Sequence, residues 1–193
     1  MSTINGLPAH VLLVHAVVVL IPLSAILLVL TAWWPAARRR LSIFAAVIAG
    51  LALVSVPITT EAGDWLEHHL PRTPLLRIHT ELGDYMLPWA IALFVATAAV
   101  AAREVMRTRR SAVSLDHSLA DGPGAAHHSA ADADGVGGRP LTIALALVAL
   151  IVAGGSVATC YKIGDSGARA AWTDQFSPTV IPSPGRKQQP DDD

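Results

Sequence analysis

Apolar side chains run along this chain in long unbroken blocks rather than at alternate or every third or fourth position. No Asp, Glu, Lys or Arg occurs over 11–37, 41–60, 85–102 or 140–161. Each block is close to the roughly 20 residues that a helix needs to cross a hydrocarbon core of about 30 Å. The pattern predicts membrane-spanning helices at about 11–33, 41–62, 84–103 and 140–161. The fold class expected is all-α, a four-helix transmembrane bundle whose first partner is the lipid bilayer.

Composition agrees with that reading. Of 193 residues, 52% are hydrophobic and 15% charged, with a mean hydropathy of +0.47, whereas soluble domains carry about 25% charged residues. This excludes a water-soluble enzyme domain. A net charge of -1 and a pI near 6.7 give no basic face for nucleic acid. Cys160 is the single cysteine, so neither an intrachain disulfide nor a cysteine-based zinc site is available. The first basic residue is Arg38, so the N-terminal segment lacks the positive lead of a secretory signal, and the first span is expected to be retained.

The connections divide the chain into residues 1–103 with three spans and a polar loop, a linker at 104–139, the last span with a Gly-rich motif at 140–173, and a tail at 174–193. The linker is poor in large apolar side chains, which predicts disorder. The turn Pro35-Ala36-Ala37-Arg38-Arg39-Arg40 follows Trp33 and Trp34, a pair suited to the membrane interface. Arg38, Arg39, Arg40, Arg103, Arg107, Arg109, Arg110 and Arg139 lie on the turn and linker side, against Arg72, Arg77, Lys162 and Arg169 near the membrane on the other. The positive-inside rule therefore puts the linker in the cytoplasm and both termini outside a cell membrane. Thr73-Pro74 reads as an N-cap followed by proline at the first helical position. Pro22, Pro57 and Pro88 fall inside spans and predict bends for packing. Ala46, Ala49, Gly50, Gly154 and Gly155 supply small surfaces for close helix approach.

Polar chemistry gathers at one end. His10, His15, His68, His69 and His79, with Glu61, Asp64, Glu67, Glu81, Asp84 and Asp165, fall on the outer side of the spans. Glu61, Asp64 and His68 follow an i, i+3, i+7 spacing and share a helix face. His15 lies past the first turn of its span among Val14, Ala16 and Val17, where an unpaired polar group is costly and a functional role is the default. His10 and His15 are five residues apart and point in different directions, so each needs a partner from another helix, with His79 and the Glu61-Asp64-His68 face as candidates. His117, His127 and His128 read as solvated tether residues. Gly164-Asp165-Ser166-Gly167 spells the surroundings of a chymotrypsin-like nucleophile, but no alternating strands accompany it, so it reads as a turn.

Four segments together resemble the multi-pass membrane family catalogued as domain of unknown function 2231. They are Gly6-Leu7-Pro8-Ala9-His10 through His15, Thr59-Thr60-Glu61-Ala62-Gly63-Asp64, His79-Thr80-Glu81-Leu82-Gly83-Asp84, and Gly164-Asp165-Ser166-Gly167-Ala168-Arg169-Ala170-Ala171-Trp172. The resemblance covers about residues 6–173 without the linker and implies a four-helix protein in which His10, His15 and His79 match family histidines. Fusion of some relatives to Rieske-type iron-sulfur domains implies membrane redox chemistry, with a redox or respiratory protein as partner. The chain departs from the family at Val11, usually Pro, and at Asp165, often His, which removes a nitrogen ligand from the last motif.

Three functions compete. A redox component would hold a b-type haem between His15 and His79, with His10 as a further candidate ligand. A metal protein would use His15, His79, Glu61, Asp64 and His68 around zinc, copper or iron. A non-catalytic accessory subunit would use the polar cluster to dock a partner. Transport is weaker, because no inverted repeat or mid-membrane charge marks a pathway.

Overall fold

The computed structural model describes residues 3–4, 7–71, 73–120 and 138–173. A two-residue antiparallel pair, β1 (Thr3–Ile4) and β2 (Leu7–Pro8), leads into five helices: α1 (Ala9–Trp33), α2 (Pro35–Glu67), α3 (Pro74–Asp84), α4 (Met86–Ala120) and α5 (Gly138–Trp172). Four of the helical segments are long and apolar enough to cross a membrane; the third runs from α3 into α4, with its charge-free stretch, 85–102, beyond α3. The chain is a multi-pass, all-helical membrane protein of the class expected, with α3 as an additional short helix at one end.

Local chemistry sets the helix boundaries. A single extended residue, Trp34, separates α1 from α2, and Pro35 opens α2 where its missing N–H costs nothing. Thr73 caps α3, its hydroxyl accepting from the Leu76 N–H at 3.2 Å, with Pro74 at the first helical position as anticipated. The 63–83 segment expected as loop is mostly helix, because α2 continues to Glu67 and α3 starts at Pro74. The third span also continues past its expected end at 103. Residues 104–120, expected to begin the linker, extend α4, consistent with a stretch free of Gly and Pro up to Gly122 and rich in good helix formers. The remainder of that linker, 121–137, and the tail, 174–193, lie outside the described residues.

The buried positions repeat at alternating steps of three and four. On α1 they include Val17, Ile21, Ser24, Leu28 and Thr31; on α2 Arg38, Ser42, Ala45, Ala49, Ala52, Val56 and Thr59; on α4 Met86, Ala90, Leu93, Thr97, Val100 and Glu104; on α5 Ala146, Ala149, Ala153, Ser156 and Cys160. That spacing is the seam of a left-handed bundle. Small residues, with alanine the most frequent, make up most of it because, without a hydrophobic drive between helices in lipid, close approach and dispersion hold the spans together. Three of the buried hydroxyls are satisfied within their helices, Thr31 Oγ1 donating to Leu27 O at 2.8 Å, Thr97 Oγ1 to Leu93 O at 2.9 Å and Ser156 Oγ to Val152 O at 2.7 Å, whereas the buried Ser24 Oγ has no hydrogen-bond partner among the described residues. Large aliphatics such as Val19, Ile26, Ile43 and Ile151 point outward, to lipid. At Gly155 the Trp89 ring lies where a Cβ would be.

Candidate functional site

The start of α1, the end of α2, α3 and the last turns of α5 meet at one end of the bundle. Two half-buried histidines come together there. His10, the second residue of α1, directs Nδ1 at the Thr59 carbonyl of α2, 2.9 Å away. His79, in the middle of α3, directs Nδ1 at the Ile163 carbonyl and at Ser166 Oγ of α5, each at 3.1 Å, while the Ser166 hydroxyl itself donates to Ile163 O at 2.9 Å. The ring centroids are 6.4 Å apart, with the planes at 81°.

The same local device receives each ring. The accepting carbonyl is followed four residues later by a glycine, Thr59 by Gly63 and Ile163 by Gly167, on the same helix face one turn on. A Cβ at Gly63 would lie 2.9 Å from His10 Nδ1, and one at Gly167 would lie 2.9 Å from His79 Cε1. Only glycine admits an imidazole this close to the helix backbone. Both receptors share a sequence pattern, Thr59-Thr60-Glu61-Ala62-Gly63 and Ile163-Gly164-Asp165-Ser166-Gly167, with an acid at the third position and a small residue at the fourth. Each half of the bundle thus contributes one histidine from an entering helix and one glycine-backed carbonyl from a leaving helix.

The carbonyl partners decide the chemistry of the rings. A main-chain oxygen accepts only from Nδ1–H, so Nδ1 carries a proton, and in the neutral form of either ring the lone pair is on Nε2. No hydrogen bond reaches either Nε2 among the described residues. α3 bears Arg77, Glu81 and Asp84 and lies beyond the apolar stretch of α4. Burial, and then the neighbouring His10, hold the His79 imidazole below the usual histidine range, against the opposing pull of the Ile163 carbonyl. His79 is therefore neutral near pH 7 and able to donate its lone pair.

The other expected site residues lie elsewhere. His15 is exposed and bonds back through Nδ1 to the Val11 carbonyl of its own helix at 2.7 Å. That local partner satisfies one of the two ring nitrogens of His15 within its own helix. It is His10, not His15, that stands with His79. Glu61, Asp64 and His68 share the outward side of α2, exposed, and His68 Nδ1 is satisfied by Asp64 O at 2.7 Å. His69 bonds to Trp65 O and stacks on the Trp65 ring, with centroids 4.1 Å apart. Among the described residues no group of three or more His, Cys, Asp or Glu is placed to hold a metal ion. The expected cluster of His15, His79, Glu61, Asp64 and His68 is thus not assembled, because its α2 members face away from the seam that carries Thr59 and Ala62.

Sequence reasoning missed the receptors. Gly63, Gly167 and Ser166 stand in the sequence as parts of turn or likeness motifs, and the signal that marks them as receptors is the repeated acid-small-Gly pattern ending α2 and α5. Comparison with protein-family models, with curated proteins and with solved structures returns no match to this chain, so the geometry of the His10–His79 pair is what its function has to be read from.

Proposed function

We propose that this membrane protein holds one transition-metal centre between His10 and His79, outward-facing, as a component of membrane redox chemistry. One observation carries the reading: both imidazoles are anchored through Nδ1 to a main-chain carbonyl, leaving both Nε2 atoms as donors. Metal-ligating histidines are commonly held this way, by a carbonyl that accepts from the other ring nitrogen, sets tautomer and ring orientation and raises basicity. The spacing supports it. With metal–nitrogen bonds of about 2.0–2.1 Å, a metal would lie roughly 3 Å from the centroid of a ring that holds it, and the 6.4 Å between the two centroids is of the size that would let both rings reach one centre.

Two imidazoles suit a centre that brings its remaining ligands with it. Haem iron would be one such centre, held by His10 and His79, and a copper or zinc ion completed by water or substrate would be the other. Bound there, haem or copper would supply one-electron transfer. The chain's own residues hold and orient the donors: Thr59 and Ile163 fix the rings, Ser166 shares the His79 proton, and Gly63 and Gly167 give the rings room. Likeness to the family catalogued as domain of unknown function 2231 belongs to the same proposal, since the segments that carry it contribute His10, His79, Gly63 and Gly167. The arginine distribution supports placing this end, with both termini, on the extracytoplasmic side.

A second reading has an observation of its own. The same bonds tie α1 to α2 and α3 to α5, so the pair is also a sufficient lock for an accessory subunit without a ligand. The visible spectrum of protein from native membranes, before and after dithionite, and its metal content after dialysis separate the readings. A reducible Soret band identifies haem, and a stoichiometric metal without one identifies the ion. Either is expected to disappear in His10→Ala and His79→Ala and to survive in His15→Ala. Protein with neither haem nor metal would refute the proposal and leave the lock.

A further inference from the structure

The opposite end of the bundle carries a second polar cluster. Arg38 of α2 and Glu104 of α4 occupy the last positions of their seams, each 7% exposed. Their Nε–Oε2 separation is 3.8 Å, long against the roughly 2.7–2.9 Å of a charge-assisted hydrogen bond. No hydrogen bond to the Arg38 guanidinium is made among the described residues. Arg103, Arg107 and Arg39 lie close enough for their charges to act on Arg38, and Arg103 Nη2 donates to Thr142 Oγ1 of α5 at 2.9 Å. Four guanidinium groups, with Arg103 and Arg107 one turn apart on α4, thus collect at this end of the bundle, where Glu104 is the carboxylate paired with Arg38.

The depth of this cluster identifies what meets it. Trp33 and Trp34 are 57% and 60% exposed at the α1–α2 junction, the position of interfacial aromatics. The Arg38 N–H bonds to the Trp34 carbonyl at 2.9 Å, so Arg38 lies one turn beyond the Trp pair. On the outer side of α2, Ile43 and Val47 follow Arg39 at one-turn steps and are exposed, an apolar track for an acyl chain beside the cluster. We propose that Arg38, Arg103 and Arg107 form a binding site for the phosphate headgroup of an anionic phospholipid. An unbonded, largely buried guanidinium offers forked donors to phosphate oxygens, and basic pockets between spans are where such headgroups bind. Glu104 then competes with the lipid for Arg38 and limits its affinity.

Protein in nanodiscs of phosphatidylcholine doped with phosphatidylglycerol tests the site, with retained lipid read by native mass spectrometry and stability by thermal unfolding. The native chain is expected to retain phosphatidylglycerol and to unfold at higher temperature with it than in phosphatidylcholine alone. Arg107→Gln, an exposed change, is expected to lower retention about five-fold, the effect of one basic residue near an anionic surface. Glu104→Gln is expected to raise it. Equal retention by the native chain and Arg107→Gln would overturn the proposal, as would lower retention by a folded Glu104→Gln. Inorganic phosphate giving the same stabilisation in purely phosphatidylcholine discs would reassign the cluster to soluble anions and overturn the lipid assignment.

Discussion

Replacing Gly63 by alanine tests whether the glycine receptors hold the histidines. The new Cβ would stand 2.9 Å from His10 Nδ1 and 3.0 Å from Cε1, against 3.4 Å or more for ordinary contact. The ring must therefore retreat by about 0.5 Å. Added to a 2.9 Å bond to the Thr59 carbonyl, that exceeds the usual N–H···O range of about 2.7–3.2 Å. Overpacking costs about 1–3 kcal/mol, and the lost hydrogen bond about 0.5–1.5 kcal/mol. Alanine regains about 1 kcal/mol of helix propensity. The balance is a loss of roughly 1–3 kcal/mol, and a protein of this size loses about 2–4 °C of Tm per kcal/mol. Gly164→Ala is the control, since a Cβ there meets nothing within 4 Å, and it is expected to raise Tm slightly. Thermal unfolding in detergent reads both variants. In a His10→Ala background the Gly63→Ala penalty should vanish or reverse. If Gly63→Ala behaves like Gly164→Ala, or costs as much without the imidazole as with it, the receptor argument fails.

Gly155→Ala should be more damaging, costing about 3 kcal/mol or more, because the Cβ would overlap the Trp89 ring; a Trp89→Leu background should relieve it, as measured by unfolding. The depressed His79 pKa predicts a pH dependence: the folded chain keeps His79 neutral while the unfolded chain protonates it below its ordinary value of 6.5, so its contribution is complete above that pH and is lost as pH falls below it. A Tm–pH profile should show this loss, and His79→Gln should flatten it. For orientation, a cysteine placed at Ser183 should label with membrane-impermeant thiol reagents in intact cells and one at Ser129 should not; the opposite result would invert the topology.

How much of this was legible in the sequence follows from what lipid penalises. Charges are costly in hydrocarbon, so the blocks without them declare the spans, and Thr73-Pro74 declares the start of α3 because capping is local chemistry. The collection of histidines at one end followed from the spans alone. The seams did not, since a side chain facing lipid is as apolar as one facing the core and no hydrophobic periodicity separates Ile43 from Ala45. Only packing shows that Ala45, Ala49 and Ala52 face inward and that Arg38 and Glu104 close the same seams. The identity of the paired histidine was equally a tertiary matter. His10 and His15 are both polar residues near the start of one helix, but His15 satisfies itself on Val11 O while His10 reaches across to Thr59 O. The docking of α3 on α5, which carries His79 to the Ile163 carbonyl rather than to the acidic face of α2, depends on contacts 84 residues apart in sequence, a separation that local patterns do not encode.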